Sequence, residues 1–217
     1  MFDDFKSIRT FPARTRVFRD GAFVPELSSE DAGAELPLHI IHIGKIEGER
    51  NWFIDMTDAV GVFFTARIEI ASAAKIKLEV NANIENAEFD GKIIIKNAGK
   101  LDLGIIGGNN KSNTKIKCET KLFAAAGSEN RMTGSAVVPA NAKDAETDIS
   151  FAALAMPGVK SLEMSPMQKI SGIGATARHA ASIYRPAATQ IQYLKTAGLS
   201  ASAATELLNR AFTEESD

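Results

Sequence analysis

The chain has 217 residues, of which 45% are hydrophobic and 24% charged, enough to bury a real core in one large or two small domains. Its formal charge of −2 and pI near 6 give no overall electrostatic case for nucleic acid or an anionic membrane surface. A single cysteine, Cys118, excludes an internal disulfide and any metal site built from several thiolates of this chain alone.

The first 35 residues read as an irregular lead-in, with a turn in "RDGAF" and a polar, acidic "PELSSEDAGAE". The start, "MFDDFKSIRT", is acidic where a targeting peptide would be basic and then apolar. No stretch approaches the ~18 uninterrupted apolar residues of a spanning helix. A cytoplasmic protein with no membrane segment is therefore expected.

Residues 36–185 form the core, opening with "LPLHIIHIG" and continuing in short alternating runs: 66–71, 75–80, 91–97, 101–106, 115–123, 135–140 and 148–156. Period two over four to eight residues, with Ile, Val and Phe inside and Asn, Gly and Asp between, is the signature of strands. Nothing of helical length separates them, which excludes a doubly wound βαβ sheet and leaves a sandwich, a barrel or a β-solenoid. "NANIENAEFDG" and "NNKSNT" are rich in Asn, which tolerates left-handed turns and stacks in ladders at solenoid corners.

After Pro186 the period changes. In residues 186–217, "AATQIQYLKTAG" sets Ile191 and Leu194 three apart and ends on Gly198. "LSASAATELLNRAF" then offers Ser200 as N-cap and Ala204, Leu207, Leu208, Ala211 and Phe212 on one face. This is a helical hairpin. Glu206, Glu214, Glu215 and Asp217 against Arg210 alone make it a poor reader of DNA, so it packs on the core or docks a protein.

Individual residues give little chemistry. Cys118 shares a strand parity with Ile116 and Leu122 and is expected to be buried and structural. His39 and His42 are three apart on a strand and face opposite ways, so one ion cannot take both. "LGIIGGNN" lacks the spacing of a phosphate-binding loop, and neither GxSxG nor HExxH occurs, so no catalysis is expected. One Trp, two Tyr and no acidic cluster argue against a polysaccharide-cleaving β-helix. His179, among small residues, reads by itself as a structural histidine.

The C-terminal run "ARHAASI…IQYLKTAGLSASAATELLNRAF" nevertheless resembles the end of the SufB/SufD proteins of iron–sulfur cluster assembly. Gly198, Leu207, Leu208 and Phe212 coincide with that family's spacing. "RVFRDGAFVPELS", "PLHIIHIG" and the stretch 136–170 are similar to the SufD branch in particular.

The resemblance implies a mainly β fold, a right-handed parallel β-helix with a C-terminal α-helical hairpin. It implies a non-catalytic subunit whose helical region docks a SufC-like ABC-type ATPase through Ile191, Tyr193, Leu194, Leu207, Leu208 and Phe212. It also implies pairing through the β-helix with a SufB-like chain or as a homodimer, with His179 at that interface as a cluster ligand. No cofactor is expected to be held stably by this chain; an iron–sulfur cluster would pass transiently through a subunit interface, with its other ligands from a second chain.

Two departures qualify the resemblance. Phe151 stands where SufB carries its assembly cysteine, and the helical domain usual at the N-terminus is absent from this sequence, so a reduced SufD-like subunit is expected. Arg178, beside His179, is expected to disfavour protonation of the ring. The residues leave one further reading open, a β-solenoid adaptor that has lost cluster chemistry.

Overall fold

A computed structural model describes residues 14–28 and 37–213. The chain is mostly β, 60%, and winds as a parallel β-solenoid of about six turns followed by two helices. Two sheets face each other. The first comprises β1 (Arg14–Arg19), β2 (Ala22–Phe23), β3 (Leu38–Lys45), β5 (Gly61–Ile70), β7 (Glu88–Asn97), β9 (Lys115–Ala124), β11 (Glu146–Ala155) and β13 (Thr176–Tyr184). The second comprises β4 (Gly48–Met56), β6 (Ala73–Ala82), β8 (Lys100–Asn109), β10 (Glu129–Val138) and β12 (Ser161–Ile170). The seven alternating runs fall on β5 to β11.

From β5 onward each strand is stacked in register on the strand two places before it, so a residue that faces inward in one rung sits above an inward residue of the last. Phe64, Ala66, Ile68 and Ile70 of β5 meet Ile76, Leu78 and Val80 of β6 in one apolar core that runs the length of the solenoid. Large rings need space within a rung, and glycine provides it. A Cβ on Gly134 would lie 3.1 Å from the Phe151 ring, which is 1% exposed, so the small residue on one sheet admits the large one on the other.

The corners are closed by buried amides. Asn97 donates to Asn130 Oδ1 at 2.7 Å, and Asn130 donates onward to Ser128 Oγ at 3.0 Å and the Ser161 carbonyl at 3.1 Å. At the opposite corner Thr147 Oγ1 donates to Asn109 Oδ1 at 2.6 Å, and Asn109 donates to Thr114 Oγ1 at 2.9 Å. These side chains replace the ladder bonds that the backbone gives up in turning. Asn86 and Asn113 take φ of 60° and 58°, the left-handed conformation expected of Asn in those turns.

The outer surfaces carry charges that alternate in sign along the solenoid axis. In the second sheet one row reads Glu49, Lys75, Asp102, Arg131, Glu163, each directly beside the next. Lys75 lies 3.6 Å from Glu49 and Arg131 4.0 Å from Glu163. In the first sheet another reads Asp90, Lys117, Asp148, Arg178. Adjacent parallel strands put like positions about 4.8 Å apart, where like charges would repel.

The expectation of an irregular lead-in over 1–35 differs from the structure in its described part. Residues 14–28 form β1, β2 and a 3-10 turn, with β1 stacked in parallel on β3. "RTRVFR" reveals little of this because β1 buries only Val17. Strands β4 and β12 escaped the alternation because each ends a sheet and buries few of its side chains.

Near this end His42 lies inside an aromatic stack: 4.6 Å from Phe18, 4.8 Å from Trp52 and 5.5 Å from Phe64, ring centre to ring centre. His39 faces the other way and shares a 3.1 Å hydrogen bond with Thr65 Oγ1. Burial pushes the His42 ring down to about 4. Between the ordinary value of 6.5 and that one, the unfolded chain holds a proton that the native ring refuses. Stability is therefore complete above pH 6.5 and falls as pH drops toward 4, by up to about 3 kcal/mol.

Two measurements check these points. Replacing the ring by His42→Phe keeps the stack and removes the titration, so in denaturant melts the variant gains on the wild type from pH 7 to pH 4.5; a constant difference would contradict the assignment. Asn130→Ala removes the Asn97–Asn130 bond together with the Asn130 bonds to Ser128 Oγ and the Ser161 carbonyl and is predicted to cost about 1–3 kcal/mol, against less than about 0.5 for Lys75→Ala on the surface. Equal losses would show that the corner amides are not structural.

Candidate functional site

The solenoid ends in β12 and β13, and among the described residues no strand pairs on the far side of either. His179 lies on β13 above Ile149, which lies above Cys118. Ile149 is fully buried and faces inward, so His179 does too, at the open last rung. Small neighbours on the same parity, Ala177 and Ala181, leave the imidazole room.

Both ring nitrogens of His179 are out of contact with solvent and without a hydrogen-bond partner among the described residues. Burial is the main influence on the ring and lowers its pKa; the Asp148 carboxylate and the nearby backbone of Met167 and Ile149 oppose it more weakly. The expected influence of Arg178 is not among the causes, because strand alternation turns Arg178 to the outer surface. Burial thus favours the neutral form of the ring, whose nitrogen lone pair can act as a ligand.

That ring cannot hold a metal alone. Among the described residues no group of three or more His, Cys, Asp or Glu side chains is placed to bind an ion. Cys118 is 1% exposed, with its thiol pushed up to about 12, first by burial and then by Asp90 and Glu119. It is two rungs below His179, about 10 Å by strand spacing, with Ile149 between. A thiol held in that state offers no thiolate to a ligand. Any ligand set around His179 would have to be completed from beyond the last rung. Phe151, also inward, fills the core against Gly134 and presents no ligand atom.

The second feature is the hairpin of α1 (Ala188–Thr196) and α2 (Ala201–Thr213). Gln190 Oε1 accepts the Ala187 N–H at 2.9 Å to start α1, and Gly198 at φ 92° ends it. Ser200 Oγ accepts the Ala203 N–H at 3.1 Å, the N-cap of α2. Ile191, Leu208 and Phe212 pack on Phe123 and Leu154 of the first sheet's outer surface and on Met156 just past β11. Lys96 and Glu206, 2.9 Å apart, join α2 to β7.

The six residues expected to dock a partner therefore divide. Ile191, Leu208 and Phe212 are engaged at least in part by the chain's own core. Tyr193 and Leu207 remain 72% and 45% exposed. Tyr193 and Leu194, with Thr189, Gln190 and Leu208, line an open apolar groove of about 370 Å³ between the helices. Spacing alone could not separate the two groups, because a helix of this size has apolar residues on more than one face. No described helix is long and apolar enough to cross a membrane.

Comparison with curated proteins finds no match for the chain. A family model does match: the one described as "SUF system FeS cluster assembly, SufBD core domain" covers residues 68–212, from the inward Ile68 of β5 through both terminal rungs and both helices. With about two thirds of its length matched to that core, and with the solenoid and hairpin in place, the chain belongs to the SufB/SufD family.

Proposed function

We propose that this chain is a SufD-like, non-catalytic subunit of an iron–sulfur cluster assembly complex, working in the cytoplasm. The observation that carries the reading is the division of the hairpin. One side is fastened to the solenoid by Leu208, Phe212 and the Lys96–Glu206 bridge, while Tyr193 and Leu194 line a groove and Tyr193 and Leu207 stay exposed. A rigidly mounted apolar surface of this kind supports docking of a SufC-type ATPase, the partner that the family's helical region engages.

The open last rung supports pairing with a SufB-like chain or a second copy. His179, neutral, inward-facing and without a partner, would contribute one ligand to a cluster that is cargo of the complex, completed by the other chain. The filling of the Phe151 position by a core ring favours a SufD-like over a SufB-like role. The sealed Cys118 favours the second reading, a β-solenoid adaptor without cluster chemistry, and the two readings part at His179.

In a pulldown with a SufC-type ATPase, the combined Tyr193→Ala and Leu207→Ala variant is expected to lose binding at least tenfold with its melting temperature unchanged. Phe212→Ala is expected to cost about 1–3 kcal/mol of stability, since its ring also packs on Tyr184 at 5.8 Å. Absence of ATPase binding, or binding indifferent to the exposed pair, would sink the docking claim. In a growth assay that depends on cluster assembly, His179→Ala is expected to fail while its folding is preserved. Full complementation by that variant would leave the adaptor reading.

A further inference from the structure

A second cavity, of about 360 Å³, lies where the loop between β11 and β12 meets the start of the hairpin. It is open because the chain leaves the ladder there. At the first-sheet end of the lower loops a backbone N–H closes onto the rung beneath: Ala98 on the Ile70 carbonyl, Ala125 on Asn97 and Met156 on Ala124, at 2.9, 2.9 and 3.0 Å. The pairing of Leu154 with Tyr184 brings Pro186 to the next position in that series, and proline has no N–H to give. The Ala155 carbonyl is left without the bond its predecessors receive. Among the described residues, no loop stacks on 156–160 as these residues stack on 124–128.

The lining selects what can enter. Met156, Leu162 and Pro186 supply apolar wall, Lys160 and Arg185 supply charge, and no carboxylate lines the space. Lys160 has a loose, exposed neighbour in Glu129, Nζ to Oε1 3.8 Å, and Arg185 has no ion-pair partner among the described residues. Two cations from different elements therefore share one cavity, where an anion between them relieves their repulsion. The Ala155 carbonyl asks in addition for a donor. A phosphate ion meets the first need better than the second. A peptide segment with Asp or Glu meets both, through its carboxylate and a backbone N–H. The cavity also adjoins the hairpin groove, since Pro186 lines one and Thr189 the other.

Resting on the docking reading above, we propose that this cavity receives an acidic side chain of the protein that docks on the hairpin, with the carboxylate held between Lys160 and Arg185 and a neighbouring backbone N–H donated to the Ala155 carbonyl. The groove supplies apolar area, and the cavity fixes orientation and selects for charge.

Amide chemical shifts of the full chain, titrated with acetyl-Gly-Glu-Gly-amide, its Gln counterpart or inorganic phosphate, test the chemistry. The Glu peptide is expected to move the amides of 158–162 and to bind about tenfold more tightly than either of the others, and Lys160→Gln combined with Arg185→Gln to abolish the response. Equal binding of the Gln peptide, or phosphate binding as tightly as the Glu peptide, would overturn the proposal. Both side chains are exposed, so the double variant is expected to keep its melting temperature. In the pulldown with a SufC-type ATPase it is expected to weaken capture about tenfold, with the loss shrinking at high salt. Capture that ignores the double variant but is lost with Tyr193→Ala and Leu207→Ala would overturn the cavity assignment and leave docking intact. No capture by the wild type would overturn both.

Discussion

A parallel β-ladder has no end of its own: each rung satisfies the one before it and presents the same unsatisfied row to whatever comes next. That constraint organises this molecule. In the interior of the solenoid it forces strict inward and outward alternation, stacks Asn97 on Asn130 at the corners, and allows charge rows only when neighbouring signs differ. At the two termini it has to be dealt with differently. The first sheet begins with β1, whose outer edge is taken by the antiparallel β2, so the hairpin closes the ladder there. The last rung has no such hairpin among the described residues, and the inward side of β13 holds the one imidazole left without a partner.

The helical hairpin is placed by the same repetition. The outer surface of the first sheet is mostly charged, but at β9 and β11 it turns apolar with Phe123 and Leu154, and α2 lies on that patch. Solenoid and hairpin therefore form one body, with the last rung and the exposed helix residues near the same end of the chain.

Much of the fold was legible from residues alone. Alternation marked the seven central strands because each is buried on one face and paired on both edges, and Asn86 and Asn113 marked turns. The choice of solenoid over sandwich came from the likeness of the C-terminal motif, since period two is common to both architectures. β4 and β12 were obscured because an edge strand buries little and keeps polar side chains, and β1 because only Val17 of its six residues is buried. Of the site, the inertness of Cys118 followed from its parity, and the opposed faces of His39 and His42 from strand geometry. The isolation of His179 could not be read, because it depends on what lies across the rung. The same holds for the division of the hairpin, which is set by where α2 meets Phe123 and Leu154. The expected effect of Arg178 on His179 failed because adjacent residues on a strand point to opposite faces.

The central claim is that this chain functions as one subunit of an assembly complex, and native purification tests it most directly. Isolated from its source under anaerobic conditions, with subunits identified by mass and iron quantified, the chain is predicted to elute with an ABC-type ATPase and a second β-solenoid chain, and iron to track that complex. Elution as a free monomer, without ATPase, second chain or iron, would contradict the account.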